Sequence, residues 1–213
     1  MIELSAALYL FIAGIAHATP DWVHVIADVG TDAGLLVFAA LFAWNAWRSR
    51  GKPHYKLALV APFGVIGAYL VSEVAKTFIQ EERPCRAVVG ALFIAECPAV
   101  GDWSFPSNHA TIAAACAAVL ATIWGRVALV VFPLAMLMAF SRVFVGVHYP
   151  HDVAAGFLVG ATVGALLALL ATRLVGPAKE EPRVPAGPRV EQRHPGHHDA
   201  AATERIRVTR PRR

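Results

Sequence analysis

The sequence predicts an all-α fold: a polytopic membrane helical bundle of about six transmembrane helices, followed by a disordered C-terminal tail. Three observations predict it. Of the 213 residues, 57% are hydrophobic and the mean hydropathy is +0.54, too apolar for an ordinary soluble domain. The apolar residues gather in six runs separated by polar or Gly/Pro-containing breaks. The charge is also confined. From Pro177 onward nine Lys or Arg stand against five acids, so the tail carries the whole net charge of +4, whereas Met1 to Gly176 holds ten of each. Residues 1–176 are therefore expected to form the membrane unit. Residues 177–213 read as a basic, Pro/Arg-rich cytoplasmic tail whose composition cannot bury a core. Three Cys exclude a disulfide-rich scaffold.

In chain order, Leu4 to Ala18 is apolar but short for a span, which takes about 20 residues. It lacks the basic start of a cleavable signal peptide. His17 to Asp32, with three Asp, a Trp and two His, reads as a loop. Gly30 to Trp47 is the second run, and Trp44 and Trp47 form an interfacial aromatic anchor. Arg48 to Lys56 is a basic turn. Leu57 to Ile79 is the third run, interrupted only by Glu73 and Lys76 near its end, and Pro84 disfavours helix at Arg83. Gln80 to Pro106 is the longest internal connection, a length that marks function or disorder. The fourth run spans His109 to Trp124, the fifth Val127 to Val147 after the short Gly125-Arg126 turn, and the sixth Val153 to Val175.

With six spans, the basic segments Arg48 to Lys56, Arg126 and the tail share one side. The positive-inside rule makes that side cytoplasmic and puts the C-terminus there. The Gln80 to Pro106 connection and the Phe144 to Asp152 turn then face outward, across a plasma (inner) membrane. Cys85 and Cys97 both lie in that outer connection, in a compartment that permits disulfides, and a bridge between them is expected. Cys116, inside the fourth run, is expected to be a buried free thiol.

Three clusters carry chemistry, and all fall at the outer end. Lys76 and Arg83 are seven residues apart, which puts them on one face if the helix persists for two turns. Taken alone, a Lys snorkelling from a helix end and paired with Glu73 is the plainer account. Pro106-Ser107-Asn108-His109 enters the fourth run, where Ser107 or Asn108 can cap a helix whose free N–H groups attract an anion. Ser141-Arg142 to His148-Tyr149-Pro150-His151-Asp152 puts an Arg, a His and an Asp within twelve residues. Arg offers a planar fork for phosphate oxygens. His can act as nucleophile or proton carrier, and an Asp four residues on can hold its tautomer. Together the clusters supply three cations, a helix N-terminus, two His and a carboxylate, a set suited to phosphoryl transfer by charge neutralisation. No acidic pair or Cys/His spacing suggests a metal site.

These clusters are similar to the three signature motifs of the type 2 phosphatidic acid phosphatase (lipid phosphate phosphatase) superfamily. Those motifs are a Lys with Arg-Pro after six residues, Pro-Ser-x-His, and Ser-Arg with His after five residues and Asp after three more. The match spans Lys76 to Asp152, and the flanking runs suit that family's six-span bundle. Asn108 stands where the family most often has Gly. Asn tolerates the left-handed conformation, so a turn there can survive. The resemblance implies that His148 attacks phosphorus and becomes a phosphohistidine, that Asp152 orients it, and that His109 protonates the leaving oxygen and then helps activate water. It implies that Lys76, Arg83, Ser107 and Arg142 hold the phosphate oxygens, with no metal and no cofactor. His151 occupies a position taken as variable, and Glu73, Glu81 and Glu82 receive no role.

The resemblance further implies a metal-independent lipid phosphatase of the undecaprenyl-pyrophosphate type, with a lipid phosphate and the membrane as partners and no nucleic acid. A phosphatidate or phosphatidylglycerophosphate phosphatase is the alternative, because the lipid tail would meet generic apolar helix faces. Vanadium haloperoxidases share the phosphate-site residues, but six apolar runs argue against that soluble class. A non-catalytic lipid transporter would carry broken mid-span helices, which are not evident, and would not need His148 and Asp152 together.

Overall fold

The computed structural model describes residues 2–175, and the expectation of a disordered tail falls outside them. The described residues form helices joined by loops, without strands. The helices are α1 (Ile2–His17), α2 (Asp21–Arg48), α3 (Tyr55–Val60), α4 (Phe63–Ile79), α5 (Pro84–Ala87), α6 (Asn108–Ile123), α7 (Ala128–Phe144) and α8 (Pro150–Val175), with a 3₁₀ turn at Gly125–Val127. Four segments are long and apolar enough to cross a membrane: Asp21–Arg48, Tyr55–Ala87, Gly125–Phe144 and Pro150–Val175. The shorter apolar helices Glu3–His17 and Asn108–Ile123 bring the total to the six expected segments.

Two boundaries differ from the sequence reading. His17 to Asp32 is not a loop, because α2 starts at Asp21, directly after Pro20. At 28 residues it is about 42 Å long, more than the roughly 30 Å of hydrocarbon. Its acidic first turns therefore project past the apolar zone, and Asp28 and Asp32 stand on a helix. The third run is two helices, since Pro62 lacks the N–H that would join α3 to α4.

The centre of the bundle is α6, whose residues Ala110, Thr111 and Ala113 to Leu120 are buried on all sides. A helix rich in Ala gives its neighbours a smooth cylinder to approach closely. On α8, Gly156, Gly160 and Gly164 recur every four residues and face it. A Cβ at Gly156 would sit 2.5 Å from the Ser107 carbonyl oxygen, and one at Gly160 would collide with the Thr111 backbone. This contact sets Ser107, at the start of α6, against Asp152, at the start of α8, and the Ser107 N–H donates to the Asp152 carbonyl at 3.1 Å. At the opposite end Arg48 lies over the Trp124 ring, 4.7 Å from its centroid.

The connection from Gln80 to Pro106 is ordered. Cys85 and Cys97 form the expected disulfide, with Cα atoms 6.0 Å apart, and Cys116 is free and buried. Closing a loop of this size is worth about 3 kcal/mol by the chain-entropy account. The connection docks on the turn after α7. The Val145 carbonyl accepts from the Ile94 and Ala95 N–H groups at 2.9 and 3.2 Å, and the Tyr9 hydroxyl on α1 donates to the carbonyls of Leu92 (2.9 Å) and Gly146 (3.1 Å). Gly146 has φ of 85°, and a Cβ there would meet the Leu92 carbonyl at 2.6 Å, so this position requires glycine.

Candidate active site

Five helix ends and the turn between α7 and α8 meet at one end of the bundle. Lys76 comes from the last turn of α4, Arg83 from the residue capping α5, Ser107 from the cap of α6, Arg142 from the last turn of α7, and Asp152 from the first turn of α8. His148 lies in the turn between α7 and α8. All six are buried. Lys76 and Arg83 do not share a helix face, because α4 ends at Ile79 and Gln80 closes it in the left-handed conformation at φ 47°. They meet through Asp102 instead. Arg83 Nη2 donates to Asp102 Oδ1 at 3.0 Å and Nε donates to the Asp102 carbonyl at 2.8 Å, while Lys76 Nζ lies 3.6 Å from the same carboxylate. Burial pushes the Asp102 carboxyl up, but Arg83 and Lys76 outweigh it and hold it below its ordinary value.

The remaining guanidinium nitrogen orients His148. Arg83 Nη1 donates to the Val147 carbonyl at 3.1 Å and lies 3.0 Å from His148 Nε2. Guanidinium has donors only, so Nε2 is the acceptor nitrogen and the ring proton sits on Nδ1. That proton faces Asp152 Oδ2 at 3.4 Å and Ser104 Oγ at 3.3 Å. Asp152 Oδ2 is itself held by the Ser104 hydroxyl at 2.5 Å and the Tyr149 N–H at 2.8 Å. Burial, reinforced by Arg83 and Arg142 and opposed by Asp152, lowers the His148 imidazole to about 4. It is therefore neutral at physiological pH, with its Nε2 lone pair accepting from Arg83.

Three buried side-chain atoms at this end have no hydrogen-bond partner: Ser107 Oγ, Arg142 Nε and Asp152 Oδ1. Buried polar atoms are normally satisfied, so two orphan donors at the end of the bundle that holds His148 fit an oxyanion that would complete them. Arg142→Lys keeps the charge and loses the fork. Phosphate-ester turnover is expected to fall at least about tenfold, roughly 1.4 kcal/mol of transition-state stabilisation. Near-normal kcat/KM in the Lys variant would make Arg142 structural.

His109, the second residue of α6, is half-buried, and its Nε2 lies 3.1 Å from Asp32 Oδ1 on α2. Asn108 is helical, and among the described residues Gln80 is the one non-glycine with positive φ, so the left-handed turn expected at Asn108 is absent. Its side chain instead ties α6 to α4, accepting from Ser72 Oγ at 2.8 Å and donating to Glu73 Oε1 at 2.6 Å. Sequence reasoning missed Asp102, Ser104 and Asp32 as partners of the site. No spacing signal marks them, since each reaches its partner through the fold.

A multi-pass helical membrane protein that closes one end of its bundle around a neutral His, a carboxylate and three cations is the class that fold and site define. The model of the PAP2 superfamily matches residues 57–175, more than half of the chain, and the chain belongs to that superfamily. The decaprenylphosphoryl-5-phosphoribose phosphatase of Mycobacterium tuberculosis is 35% identical over 111 residues, 51% of this chain and 58% of that protein. The chain thus matches well under two thirds of that relative's length. The undecaprenyl-diphosphatase of Sulfolobus acidocaldarius is 31% identical over 149 residues, 65% of this chain and 70% of that protein. In fold, the chain resembles the transmembrane PAP2 type phosphatidylglycerolphosphate phosphatase from Bacillus subtilis, with a TM-score of 0.62 at 20% identity, covering 81% of this chain and 86% of that one.

Proposed function

We propose that this chain is a lipid phosphatase that hydrolyses a polyprenyl pyrophosphate through a phosphohistidine, without a metal cofactor. The observation that carries the reading is the lone pair of His148 Nε2 held beside Arg83, with Ser107 Oγ and Arg142 Nε unpartnered nearby. The lone pair, released as Arg83 turns its N–H to a phosphate oxygen, attacks the terminal phosphorus and the bond from phosphorus to the bridging oxygen breaks. Lys76, Arg83, Ser107 and Arg142 neutralise the charge on the transferring group. Protonated His109 gives its proton to the leaving lipid phosphate. It then takes one from water, which attacks the phosphohistidine, releases inorganic phosphate and restores His148. Asp32 orients His109 for both steps, and Asp152 stabilises the imidazolium. A polyprenyl substrate is supported by the two sequence relatives, a decaprenylphosphoryl-5-phosphoribose phosphatase and an undecaprenyl-diphosphatase.

The outer membrane face is the proposed location. The basic residues Arg48 and Arg126 mark the opposite end, and the Cys85–Cys97 bridge suits an oxidising compartment. The test is phosphate release by the purified chain from a panel of undecaprenyl pyrophosphate, phosphatidate and phosphatidylglycerophosphate, with and without EDTA. The expected outcome is the highest kcat/KM on the pyrophosphate, undiminished by EDTA. Preference for a glycerolipid would replace the substrate assignment, and loss of turnover in EDTA would overturn the metal-free mechanism. His109→Ala is expected to impair substrates with poor leaving groups, such as a lipid alcohol, most. A nitrophenyl phosphate, whose leaving group needs little protonation, should suffer less in single-turnover phosphoryl transfer. Equal losses would remove His109 from the acid role.

A further inference from the structure

The third orphan, Asp152 Oδ1, points away from His148 and towards His151. The sequence leaves His151 and Glu81 without a task, yet the fold brings them together across 70 residues. His151 Nε2 lies 3.0 Å from both Glu81 carboxylate oxygens and 3.2 Å from Asp152 Oδ1. The ring is held in place on every side. It stacks against Phe105 and Tyr149, with centroids 5.8 and 5.3 Å apart, and its Nδ1 lies 2.7 Å from Ser5 Oγ on α1.

A proton does not complete this arrangement. If Nδ1–H donates to Ser5, the Nε2 lone pair faces two carboxylates. If Nε2 also carries hydrogen, its single N–H serves Glu81, and Asp152 Oδ1, fully buried, still accepts nothing. A divalent cation satisfies all three donors at once. One ligand atom from each of Glu81, His151 and Asp152 lies within 4.8 Å of the others. Tetrahedral bonds of about 2.0–2.1 Å set donors about 3.3 Å apart, within a few tenths of an ångström of the two separations from His151 Nε2. Ser5 accepting from Nδ1–H is the outer contact that metal-binding imidazoles ordinarily make. One imidazole and two carboxylates suit Zn²⁺, and a water can take the fourth position.

We propose that Glu81, His151 and Asp152 form a binding site for a divalent transition-metal ion, with Zn²⁺ the best fit, and that its occupancy inhibits the adjacent His148 centre. The inhibitory half rests on the function proposed above. Attack by Nε2 leaves the imidazole positively charged, with Nδ1–H directed at Asp152 Oδ2. A dication on Oδ1 of the same carboxylate takes up its charge and opposes that positive ring. The ion is thus a brake rather than a participant, and the reaction runs without it.

The experiment uses the full chain in detergent, stripped with EDTA and dialysed against ZnCl₂. Bound zinc and phosphate release are measured in parallel for the parent, His151→Gln and Glu81→Gln. In zinc-free buffer both variants should turn over within about twofold of the parent, which also shows that they fold. The parent should bind one more equivalent of zinc than either variant, a difference that cancels ions held by other histidines. Zinc should inhibit the parent reversibly, and the variants only at concentrations at least tenfold higher. Equal stoichiometry and equal inhibition across the three proteins would overturn the site. A binding difference without inhibition would overturn the coupling through Asp152. Should neither variant fold, Ser5→Ala, which removes only the outer contact, is expected to weaken zinc binding, and unchanged affinity there would count against the site. The zinc measurement does not depend on turnover, so a chain that binds zinc at this site but releases no phosphate from any lipid would sink the proposed function and leave the metal site standing.

Discussion

His148→Ala is expected to reduce hydrolysis of the proposed lipid pyrophosphate substrate to background, a loss of about 10⁴-fold or more, because on the proposed mechanism the substitution removes the nucleophile and not an accessory contact. The imidazole is enclosed by Arg83, Ser104 and Asp152 and is almost wholly buried, so no second nucleophilic nitrogen replaces it at that point. Trapping with ³²P-labelled substrate checks the result: acid-labile label should accumulate on the parent and be absent from the variant. Turnover near the parent rate would refute the phosphohistidine route. The same burial predicts a pH dependence. An unperturbed imidazole loses its lone pair below about pH 6.5, whereas His148 keeps it to about pH 4. Its titration therefore leaves the nucleophile intact throughout that window. In the unfolded chain the same ring takes up a proton through the window, so stability should fall as the pH drops from about 6.5 towards 4.

Asp152→Asn is expected to lower kcat by about 10⁴-fold while a non-hydrolysable lipid phosphonate still binds. The replacement is isosteric, and its amide oxygen can still accept from Ser104 and Tyr149, both of which donate to Oδ2 now. What it loses is the negative charge facing His148 Nδ1–H. Without that charge nothing fixes the proton on Nδ1, and an amide that flips its NH₂ towards that nitrogen, giving up the Ser104 and Tyr149 contacts, favours the other tautomer, placing the proton on Nε2, where the attacking lone pair must be. The ¹⁵N shifts of the His148 ring should report Nδ1–H in the parent and an increased share of Nε2–H in the variant. A kcat within tenfold of the parent would mean that Arg83 and Ser104 orient the ring unaided.

The sequence by itself determined the membrane class, the six segments, the disulfide and the seven residues that converge at one end of the bundle. Each of these depends on local chemistry. Hydrophobic length decides what can span a bilayer. Charge and Cys placement follow the compartment, and the Lys76 to Asp152 motifs keep their partners close in the chain or at helix ends. The acidic start of α2 misled, because polarity marks exposure to water rather than loss of helix once a helix outruns the membrane. Asn108 misled because its side-chain bonds to Ser72 and Glu73, not its backbone, explain its presence.

Only the tertiary structure decided which groups complete the site. Asp102 joins Lys76 to Arg83, Ser104 supports Asp152, Asp32 holds His109, and Glu81 meets His151 across 70 residues. These pairings depend on the close approach of α8 glycines to the Ala-rich face of α6 and on a 27-residue connection folded back over the turn that carries His148. Both are long-range packing events. A single sequence has no period or spacing that encodes the distance between two residues brought together in this way.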